Sequence, residues 1–522
     1  MNMPSWLKEA VFYEIYPQSF YDSNGDGIGD LQGIIRKLDY IRDLGFNAIW
    51  INPCFDSPFM DAGYDVRDYY KIAPRYGTNE DARELFERAH ELGIRVLLDL
   101  VPGHTSDKHK WFRASRRPKK NKYSNRYIWT NNAFDYPDGF RLQSGLSDRD
   151  GNYMVNFFSS QPALNYGFER RDYPWQLPPD HPDCVATLEE MKKVMRFWLD
   201  MGCDGFRVDM AYSLVKNDEN KAGTKRLWQN VRAMLDKEYP EAAILSEWSC
   251  AEDAIDAGFH LDFYIHFHTK GYNALFQTDS YDYVGKAEEI HCFFQKDGKG
   301  NVKAFTDEFM KKLAYIDGRG HMCMPTDNHD MIRYSHHRTR DEMKIAAAFV
   351  FLMPSVPFLY YGDEIGLPYA EGLTSKEGGY FRTGSRTPMQ WSGGKNRGFS
   401  ETDGKLYLPV DSSPESPDVE RQQKDEHSLL NTVKAVVRLR KENEDLQAVN
   451  NLELVYAEEN AYPFVFRRGK FLVAVNPRAE SAEAPVSADN YKEVFRVNGG
   501  AEISEGKLKI DGLSLVVFRK EE

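Results

Sequence analysis

The sequence predicts an α/β protein: a (β/α)8 barrel with an inserted subdomain after the third strand and an all-β domain at the C-terminus. Three observations support this fold class. Eight apolar strand-like runs, each broadly followed by an amphipathic helix, extend to about residue 440. The alternation stops once, over residues 105–170, and only short β-like runs follow residue 441. Strand–helix alternation implies a parallel sheet, and eight such units close into a barrel.

The predicted strands are short and mostly apolar, as strands buried on both faces of a sheet should be. They are residues 11–16, 46–51, 94–100, 205–209, 243–247, 262–265, 321–325 and 356–361. The predicted helices have apolar residues three and four positions apart, and Gly45 and Gly93 follow the first two as helix terminators. They are residues 31–44, 81–92, 187–199, 224–237, 302–315, 341–352 and 429–439.

The changes of rhythm divide the chain into four segments. Residues 1–104 and 171–440 are predicted to form the barrel, and residues 441–522 a small β-sandwich. The stretch 105–170 is rich in Asn, Tyr, Phe, Arg and Pro and has no clear periodicity. A loop this long is unusual in a compact domain unless it forms a unit with a function. We therefore expect 105–170 to be an inserted subdomain.

Composition excludes several classes of partner. The formal charge of −13 argues against binding to nucleic acid or to an anionic membrane. No apolar run reaches the length of a membrane span, and the N-terminus has no basic region followed by an apolar stretch. The six cysteines are scattered, without the spacing of a metal site or a disulfide framework. We expect a cytoplasmic protein that binds neither nucleic acid nor membrane; the sequence does not indicate its oligomeric state.

Polar side chains end or follow four of the predicted strands, where reactive groups of such barrels gather. They are Asp99, His104, Arg207, Asp209, Glu247, Asn328, His329 and Asp330. Arg207 and Asp209 lie two apart on one strand and so project together, and the arginine would keep the carboxylate ionised. Neighbouring strands lie about 4.8 Å apart, so Asp209 and Glu247 could approach the roughly 5–5.5 Å separation of a retaining glycosidase.

The segment 22–30 is a candidate cation site. Oxygen-bearing side chains alternate there with small residues, which suits a hard cation such as calcium. An EF-hand would require a glutamate where Gly33 stands, so the loop is either a different, shorter cradle or a polar turn. Crowded carboxylates repel one another unless a cation lies among them. That repulsion favours a metal.

Four segments together resemble glycoside hydrolase family 13, the α-amylase family, and the resemblance covers nearly the whole chain. They are residues 99–104, 205–209, 246–248 and 328–330. The resemblance implies a TIM barrel in which Asp209 is the nucleophile and Glu247 the general acid/base. It also implies that Asp330 binds the 2- and 3-hydroxyls of the sugar, that Arg207 orients the nucleophile, and that His104 and His329 contact the sugar.

Three further segments are similar to the α-glucosidases and oligo-1,6-glucosidases of that family: 13–20, 161–165 and 386–391. Asp61 and Tyr64 match the residues that bind the terminal glucose in such enzymes. Arg386 is expected to pair with Asp61 and to close the subsite that holds this glucose. The resemblance also implies one structural calcium, with magnesium as the alternative, and no organic cofactor. The implied ligands are Asp22, Asn24, Asp26, the Ile28 carbonyl and Asp30.

The expected activity is that of a retaining, exo-acting α-glucosidase on short oligosaccharides such as maltose or isomaltose. Met210 follows the nucleophile where related enzymes carry Val, Ala or Thr, so a preference for α-1,4 or α-1,6 bonds stays open. Ala163 replaces an Asp of the subgroup motif, which weakens the subgroup assignment. The alternatives are a trehalose synthase-like isomerase, a sucrose-active glucosyltransferase or hydrolase, and a non-catalytic scaffold.

Overall fold

Eight parallel strands form a closed barrel, which confirms the predicted fold class. The computed structural model describes residues 2–145, 147–280, 288–487 and 490–521. The barrel strands, β1 to β8, are Phe12–Ile15, Ala48–Ile51, Arg95–Leu100, Gly205–Val208, Ala243–Ser246, Leu261–Phe263, His321–Pro325 and Val356–Tyr360. Each strand pairs with the strands before and after it in this series, and β8 closes the barrel on β1.

The register of the central strands places the candidate acids at one level. Asp99 on β3 pairs with Arg207 on β4, and Val208 pairs with Ser246 on β5. Asp209 and Glu247 are the next residues of their strands, so they leave two adjacent strands side by side. The barrel core around them is apolar and fully packed, with large buried rings such as Trp50.

The helices follow the predicted order, with differences at their ends. The longer ones are Leu31–Leu44, Asn79–Glu91, Pro182–Met201, Ala222–Glu238, Lys303–Ile316, Arg340–Leu352 and Leu429–Lys441. Two short barrel helices, Ala251–Asp256 and Lys270–Phe276, were not predicted because six or seven residues are too few to show a helical period. The third predicted helix begins earlier than residue 187, because Pro182 occupies its first turn and the His181 side chain accepts a hydrogen bond from Asp183 N.

The segment between β3 and the helix Pro182–Met201 folds over the carboxyl ends of the barrel strands. It contains the helix Lys110–Ser115 and an antiparallel pair, Leu142–Gln143 with Tyr153–Met154. Buried Trp129 and Tyr153 pack against Phe112 in its interior. An isolated bridge between His104 and Ala163 ties the segment to the loop after β3. The predicted boundaries of this and the other segments stay predictions.

The C-terminal region is all-β. A five-stranded sheet contains Leu452–Tyr456, Phe464–Arg468, Phe471–Asn476, Ser514–Lys520 and Tyr491–Asn498, and a three-stranded sheet contains Ala482–Pro485, Lys507–Ile510 and Ala501–Ser504. Buried Arg468 joins this region to the barrel, because its Nη1 donates to Leu352 O. Arg440, on the helix Leu429–Lys441, donates from Nη1 to the neighbouring Phe351 O. Both carbonyls belong to the last turn of a barrel helix, where they lack partners within the helix.

The remaining elements are short. They are the strands Phe55–Asp56, Asp68–Ile72, Asp279–Ser280 and Glu288–Glu289, the helix Val419–Gln423, and the 3-10 helices Leu7–Glu9, Pro17–Ser19, Ala211–Ser213, Asp363–Ile365, Tyr380–Ser385, Lys395–Gly398 and Glu444–Leu446. No helix in the described part of the chain combines the length and the apolar character that crossing a bilayer requires.

Candidate active site

A cavity of about 230 Å³ opens at the carboxyl ends of the barrel strands. Its lining residues are Asp61, Tyr64, His104, Phe157, Asp209, Met210, Tyr212, Glu247, Phe267, His268, Asp330 and Arg382. Six of the nine predicted catalytic and substrate-binding residues therefore line one cavity. The other three, Arg207, His329 and Arg386, are fully buried behind its wall and contact lining residues. Pockets for drug-sized ligands are usually about 300–1,000 Å³, so this cavity suits a smaller molecule.

One guanidinium holds the two central carboxylates. Arg207 Nη1 lies 3.3 Å from Asp209 Oδ1, and its Nη2 lies 2.8 Å from Glu247 Oε2. The backbone amide of Met210 donates a second hydrogen bond to Glu247 Oε2, at 2.9 Å. Met210 has φ +42°, and this left-handed turn directly after Asp209 brings the amide to the next strand's acid. The two carboxylates are therefore fixed relative to each other by shared contacts.

Asp209 and Glu247 also affect each other's charge. Burial raises the pKa of Asp209 well above its usual value, and the nearby charge of Glu247 raises it further. Arg207 opposes both effects, and a hydrogen bond between the two side chains accompanies them. Asp209 therefore binds a proton more readily than an exposed aspartate does, and Arg207 is the group that favours its ionised form.

Asp99 forms the floor below this pair. Both of its carboxylate oxygens accept hydrogen bonds from Arg207 Nη1, at 3.0 and 3.1 Å, and Trp50 Nε1 donates to Oδ2. Asp99 is 1% exposed and does not line the cavity. This geometry favours a role for Asp99 in positioning Arg207 over direct contact with a ligand in the cavity.

His329 is a buried cation. Its Nδ1 lies 2.7 Å from Glu14 Oε1, and its Nε2 lies 2.7 Å from Tyr64 Oη and 3.3 Å from Asp330 Oδ2. Burial would lower the pKa of His329, but Asp330 and Glu14 raise it to about 9. The Tyr64 ring stacks on the imidazole, with 5.7 Å between ring centroids. His329 thus acts on the cavity through Tyr64 and Asp330.

Asp330 is held as an anion by three cations. Arg382 Nη1 and Arg386 Nη2 lie 2.8 and 2.9 Å from its Oδ1, and His329 approaches Oδ2. Burial raises the pKa of Asp330, but His329, Arg382 and Arg386 together lower it well below its usual value. An ionised carboxylate with oxygens facing a cavity can accept hydrogen bonds from hydroxyl groups.

The predicted pair between Arg386 and Asp61 is wrong for this structure. Arg386 instead contacts Asp330 and donates from Nε to the His329 carbonyl, while Asp61 Oδ2 accepts a hydrogen bond of 2.6 Å from Gln161 Nε2. The Tyr380–Ser385 turn carries Arg382 and places both arginines on Asp330, the stronger acid. Burial raises the pKa of Asp61 to about 6, and Arg382 and Gln161 oppose the rise.

His104 offers an unused polar atom to the cavity. Its Nδ1 lies 3.4 Å from Asn156 Nδ2, whereas the buried Nε2 has no hydrogen-bond partner among the described residues. Burial lowers the pKa of His104 to about 3, so the ring is neutral. A buried polar atom without a partner is unusual in a folded protein and indicates that a ligand group supplies the missing hydrogen bond.

Five lining residues were not identified from the sequence: Phe157, Tyr212, Phe267, His268 and Arg382. The sequence does not distinguish Phe157, Tyr212 and Phe267 from core aromatics in a chain with 14% aromatic residues. Arg382 had a usable signal, since it precedes Arg386 by four residues in the same segment.

The loop 22–30 contains the oxygen donors predicted for a cation. The carboxylates and the Asn24 amide oxygen accept hydrogen bonds from loop amides; Asp22 Oδ1 accepts from Gly25 N at 2.7 Å and Asp26 Oδ1 from Ile28 N at 2.8 Å. Burial raises the pKa of Asp30, and the charge of Asp22 contributes to the rise. All the donor atoms are oxygens, the ligand type that a hard cation prefers. Asp22, Asp26 and Asp30 are not, however, among the described residues whose ligand atoms all lie within 4.8 Å of one another.

Comparison with known proteins identifies the class of fold and site. The family model described as "alpha amylase, catalytic domain" matches residues 14–448. The chain is 33% identical over 474 residues to the trehalose synthase/amylase TreS of Mycolicibacterium smegmatis, covering 84% of this chain and 76% of the relative. It is 30% identical over 533 residues to an oligo-1,6-glucosidase of Parageobacillus thermoglucosidasius, covering 88% and 87% of the two chains.

A solved structure resembles the whole chain. An isomaltulose synthase variant from Erwinia rhapontici NX5, in complex with D-glucose, superposes with a TM-score of 0.83 at 24% identity and covers 100% of both chains. At this identity the likeness supports the fold. The barrel, the inserted segment and the C-terminal sheets therefore form an arrangement already known in solved structures.

Proposed function

This chain belongs to the alpha-amylase family of glycoside hydrolases, and we propose that it is a retaining, exo-acting α-glucosidase. The substrates would be short oligosaccharides with α-1,4 or α-1,6 bonds at the non-reducing end. The observation that carries the proposal is the contact of one arginine, Arg207, with two carboxylates from adjacent strands, Asp209 and Glu247.

In the first step, an ionised oxygen of Asp209 attacks the anomeric carbon and the glycosidic C–O bond breaks. Glu247 transfers its proton to the departing oxygen. In the second step, Glu247 takes a proton from water, the water oxygen attacks the anomeric carbon, and the bond to Asp209 breaks. The first step needs an ionised Asp209 and a protonated Glu247. Arg207 supports this state of the nucleophile, because its charge opposes the rise in the pKa of Asp209.

Asp330 and Arg207 have supporting roles in the proposal. Asp330 stays ionised and accepts hydrogen bonds from the 2- and 3-hydroxyls of the sugar as positive charge develops on the ring. Arg207 keeps Asp209 directed at the anomeric carbon, and Asp99 keeps Arg207 in place. The unpaired Nε2 of neutral His104 is available to a sugar hydroxyl, and Tyr64 offers a ring face for stacking.

The exo-acting part of the proposal comes from buried polar groups in the cavity wall. Asp61 and Arg382 line the cavity, and the buried Gln161 amide donates to Asp61. The carboxylate of Asp61 can accept further hydrogen bonds, which the terminal hydroxyls of a glucose unit would donate. A longer chain extending past the terminal unit would displace these groups and leave them unpaired.

The metal site is proposed with calcium as the resident ion and magnesium as the alternative. Asp22, Asn24, Asp26, the Ile28 carbonyl and Asp30 would hold it. When bound, the ion would neutralise the charge of the loop that leads into the helix Leu31–Leu44. The site lies outside the cavity lining, so its role would be structural.

The second candidate is an isomerase that converts maltose into trehalose. The identity of 33% to a trehalose synthase/amylase favours it, and so do the aromatic residues that line the cavity. Both candidates share the first step and differ in what attacks the glucosyl intermediate. If the aromatic lining keeps the released glucose in place, that glucose re-attacks through a different hydroxyl.

Incubation with maltose distinguishes the two candidates. We expect stoichiometric release of glucose, with the α-anomer formed first in a proton NMR time course. Accumulation of trehalose without free glucose would replace the first proposal with the second. Cyclic dextrins, which have no non-reducing end, should not be cleaved; their hydrolysis would contradict exo action. A panel of maltose, isomaltose, sucrose, trehalose and panose identifies the preferred bond.

A further inference from the structure

We propose that Asp279, His336 and His337 form a binding site for a divalent first-row transition metal of the zinc class. One ligand atom from each residue lies within 4.8 Å of the others. His336 Nε2 is 3.6 Å from Asp279 Oδ2, and His337 Nε2 is 3.6 Å from Asp279 Oδ1. Two imidazole nitrogens and one carboxylate are a ligand set that zinc and non-haem iron sites use.

The spacing is that of metal ligands and not of hydrogen bonds. At 3.6 Å both nitrogen–oxygen separations are beyond the hydrogen-bond range of about 2.7–3.2 Å. In a tetrahedral site with metal–ligand bonds of about 2.0–2.1 Å, ligand atoms lie roughly 3.3 Å apart. The two nitrogen–oxygen separations therefore exceed this ligand spacing by only about 0.3 Å.

The local backbone brings two consecutive histidines to the same carboxylate. Neighbouring residues of an extended chain point in opposite directions. His337 instead has φ +56°, and its ring centroid lies 3.9 Å from that of His336. The side chain of Asp279 is 7% exposed and accepts a hydrogen bond of 2.9 Å from Thr278 Oγ1, which fixes its orientation. Such contacts behind a ligand are typical of metal sites.

A fourth ligand is within reach. Glu371 Oε1 lies 3.8 Å from His336 Nε2, and its side chain is 74% exposed and free to turn toward an ion. The ring of Tyr369 packs against His336 at 5.3 Å and limits how the imidazole can rotate. A site with these four residues would join the segment after the helix Lys270–Phe276, the loop after β7 and the segment after β8.

Two of these segments also supply the catalytic cavity. The loop after β7 carries Asp330, six residues before His336, and the segment after β8 leads to Arg382. The proposed site is separate from the cavity, since none of its residues lines it. It also differs in chemistry from the all-oxygen loop 22–30, because imidazole nitrogens select transition metals over calcium or magnesium. Metal binding would therefore link the loop after β7 to the segment after β8 at a point outside the cavity.

The test uses the full chain, stripped of metal with a chelator and kept in excess calcium chloride so that the oxygen loop does not compete. Titration with cobalt(II) chloride, followed by visible d–d absorption, should show one equivalent bound, and zinc chloride should displace it. Because a ligand that binds the native state stabilises it, zinc should also raise the Tm. His337→Gln and Asp279→Asn should each weaken binding at least about tenfold.

His427→Ala is the matched control, since it removes a histidine that is also next to a carboxylate but is 84% exposed. It should bind cobalt as the parent chain does. Far-UV circular dichroism verifies that the His337→Gln protein is folded; this side chain is 43% exposed and its loss leaves the core intact. Failure of the parent chain to bind cobalt at equimolar concentration would overturn the proposal. Parent-like binding by His337→Gln and Asp279→Asn would overturn it too.

Discussion

Arg207 contacts three carboxylates at once, those of Asp99, Asp209 and Glu247. Removing such a buried cation would leave three buried acids in each other's field, and they would bind protons instead of staying ionised. The charge of each acid in the site is thus a property of its neighbours. Asp330, with three cations around it, is the contrasting case, because its pKa is lowered and not raised.

The effect of the Glu247 charge on the pKa of Asp209 gives the first prediction. Activity requires Asp209 ionised and one proton on Glu247, so the rate should fall on both sides of an optimum. Glu247→Gln removes the charge that raises the pKa of Asp209. With an activated aryl α-glucoside, the alkaline decline should disappear and the acid decline should move to lower pH. An alkaline decline that persists in Glu247→Gln would mean that another group supplies it.

The contact of Arg382 with Asp330 gives the second prediction. Arg382→Gln removes one of the two arginines on Asp330 Oδ1 and a proposed partner of the terminal sugar. We expect KM for maltose to rise at least about tenfold, since a charge-assisted hydrogen bond contributes roughly 1.5–3 kcal/mol. The matched control is Arg421→Gln, which changes an arginine that has a 55% exposed side chain and does not line the cavity, and which should keep the parent KM. An unchanged KM in Arg382→Gln would remove Arg382 from the binding site.

At the scale of elements, β4 and β5 decide the geometry of the site. Gly205 begins β4 with φ +143°, and a Cβ at this position would lie 1.9 Å from the Ala243 carbonyl oxygen of β5. The two backbones approach so closely that only glycine fits. Val208 on β4 pairs with Ser246 on β5, and Asp209 and Glu247 are the next residues. The two acids therefore lie beside each other where the strands end.

Gly205→Ala should therefore destabilise the barrel more than most single substitutions. We expect a loss of about 3 kcal/mol or more in the free energy of unfolding, because the obstructing atom is backbone and cannot rotate away. Gly393→Ala is the control, since nothing lies within 4 Å of a Cβ there. Thermal and urea unfolding measure both variants; equal stability would mean that the two strands are not so tightly joined.

Elements with many residues and a regular pattern could be predicted from the sequence, whereas contacts that depend on turns could not. The barrel strands, the acids at their ends and the pairing of Arg207 with Asp209 follow from alternation and spacing. The short helices Ala251–Asp256 and Lys270–Phe276 contain too few residues to show a period. The partner of Arg386 depends on how the turn before it folds and on competition from Arg382, neither of which spacing reveals.

At the scale of the whole molecule, the barrel is held together by contacts far apart in the chain. Ser400 Oγ donates to Asp22 Oδ2 at 2.5 Å, so the loop 22–30 is tied to a segment near residue 400. Arg440 and Arg468 bind carbonyls at the end of the helix Arg340–Leu352. A cation in the loop 22–30 would stabilise this closure, because it would bind the folded chain and not the unfolded one.

Removal of calcium should therefore lower the Tm of the whole chain. We expect EGTA to lower it and calcium chloride, in excess over the chelator, to restore it; restoration by magnesium alone would favour the alternative ion. Asp26→Asn keeps a side-chain oxygen for the Ile28 amide but loses a charge, so its Tm should respond less to calcium. Asp403→Asn, a 98% exposed control, should respond as the parent does. If neither EGTA nor calcium chloride changes the Tm of the parent chain, the proposed metal site is contradicted.

The measurement that tests the central claim most directly is the capture of the covalent intermediate. In Glu247→Gln, an α-glucosyl fluoride can still react because its leaving group needs no acid, but water lacks a base in the second step, so the intermediate accumulates. Peptide mass spectrometry after acid quenching should then find one glucosyl group on Asp209, and none on Asp330. A glucosyl group on any other residue, or direct release of β-glucose without an intermediate, would contradict a double displacement through Asp209.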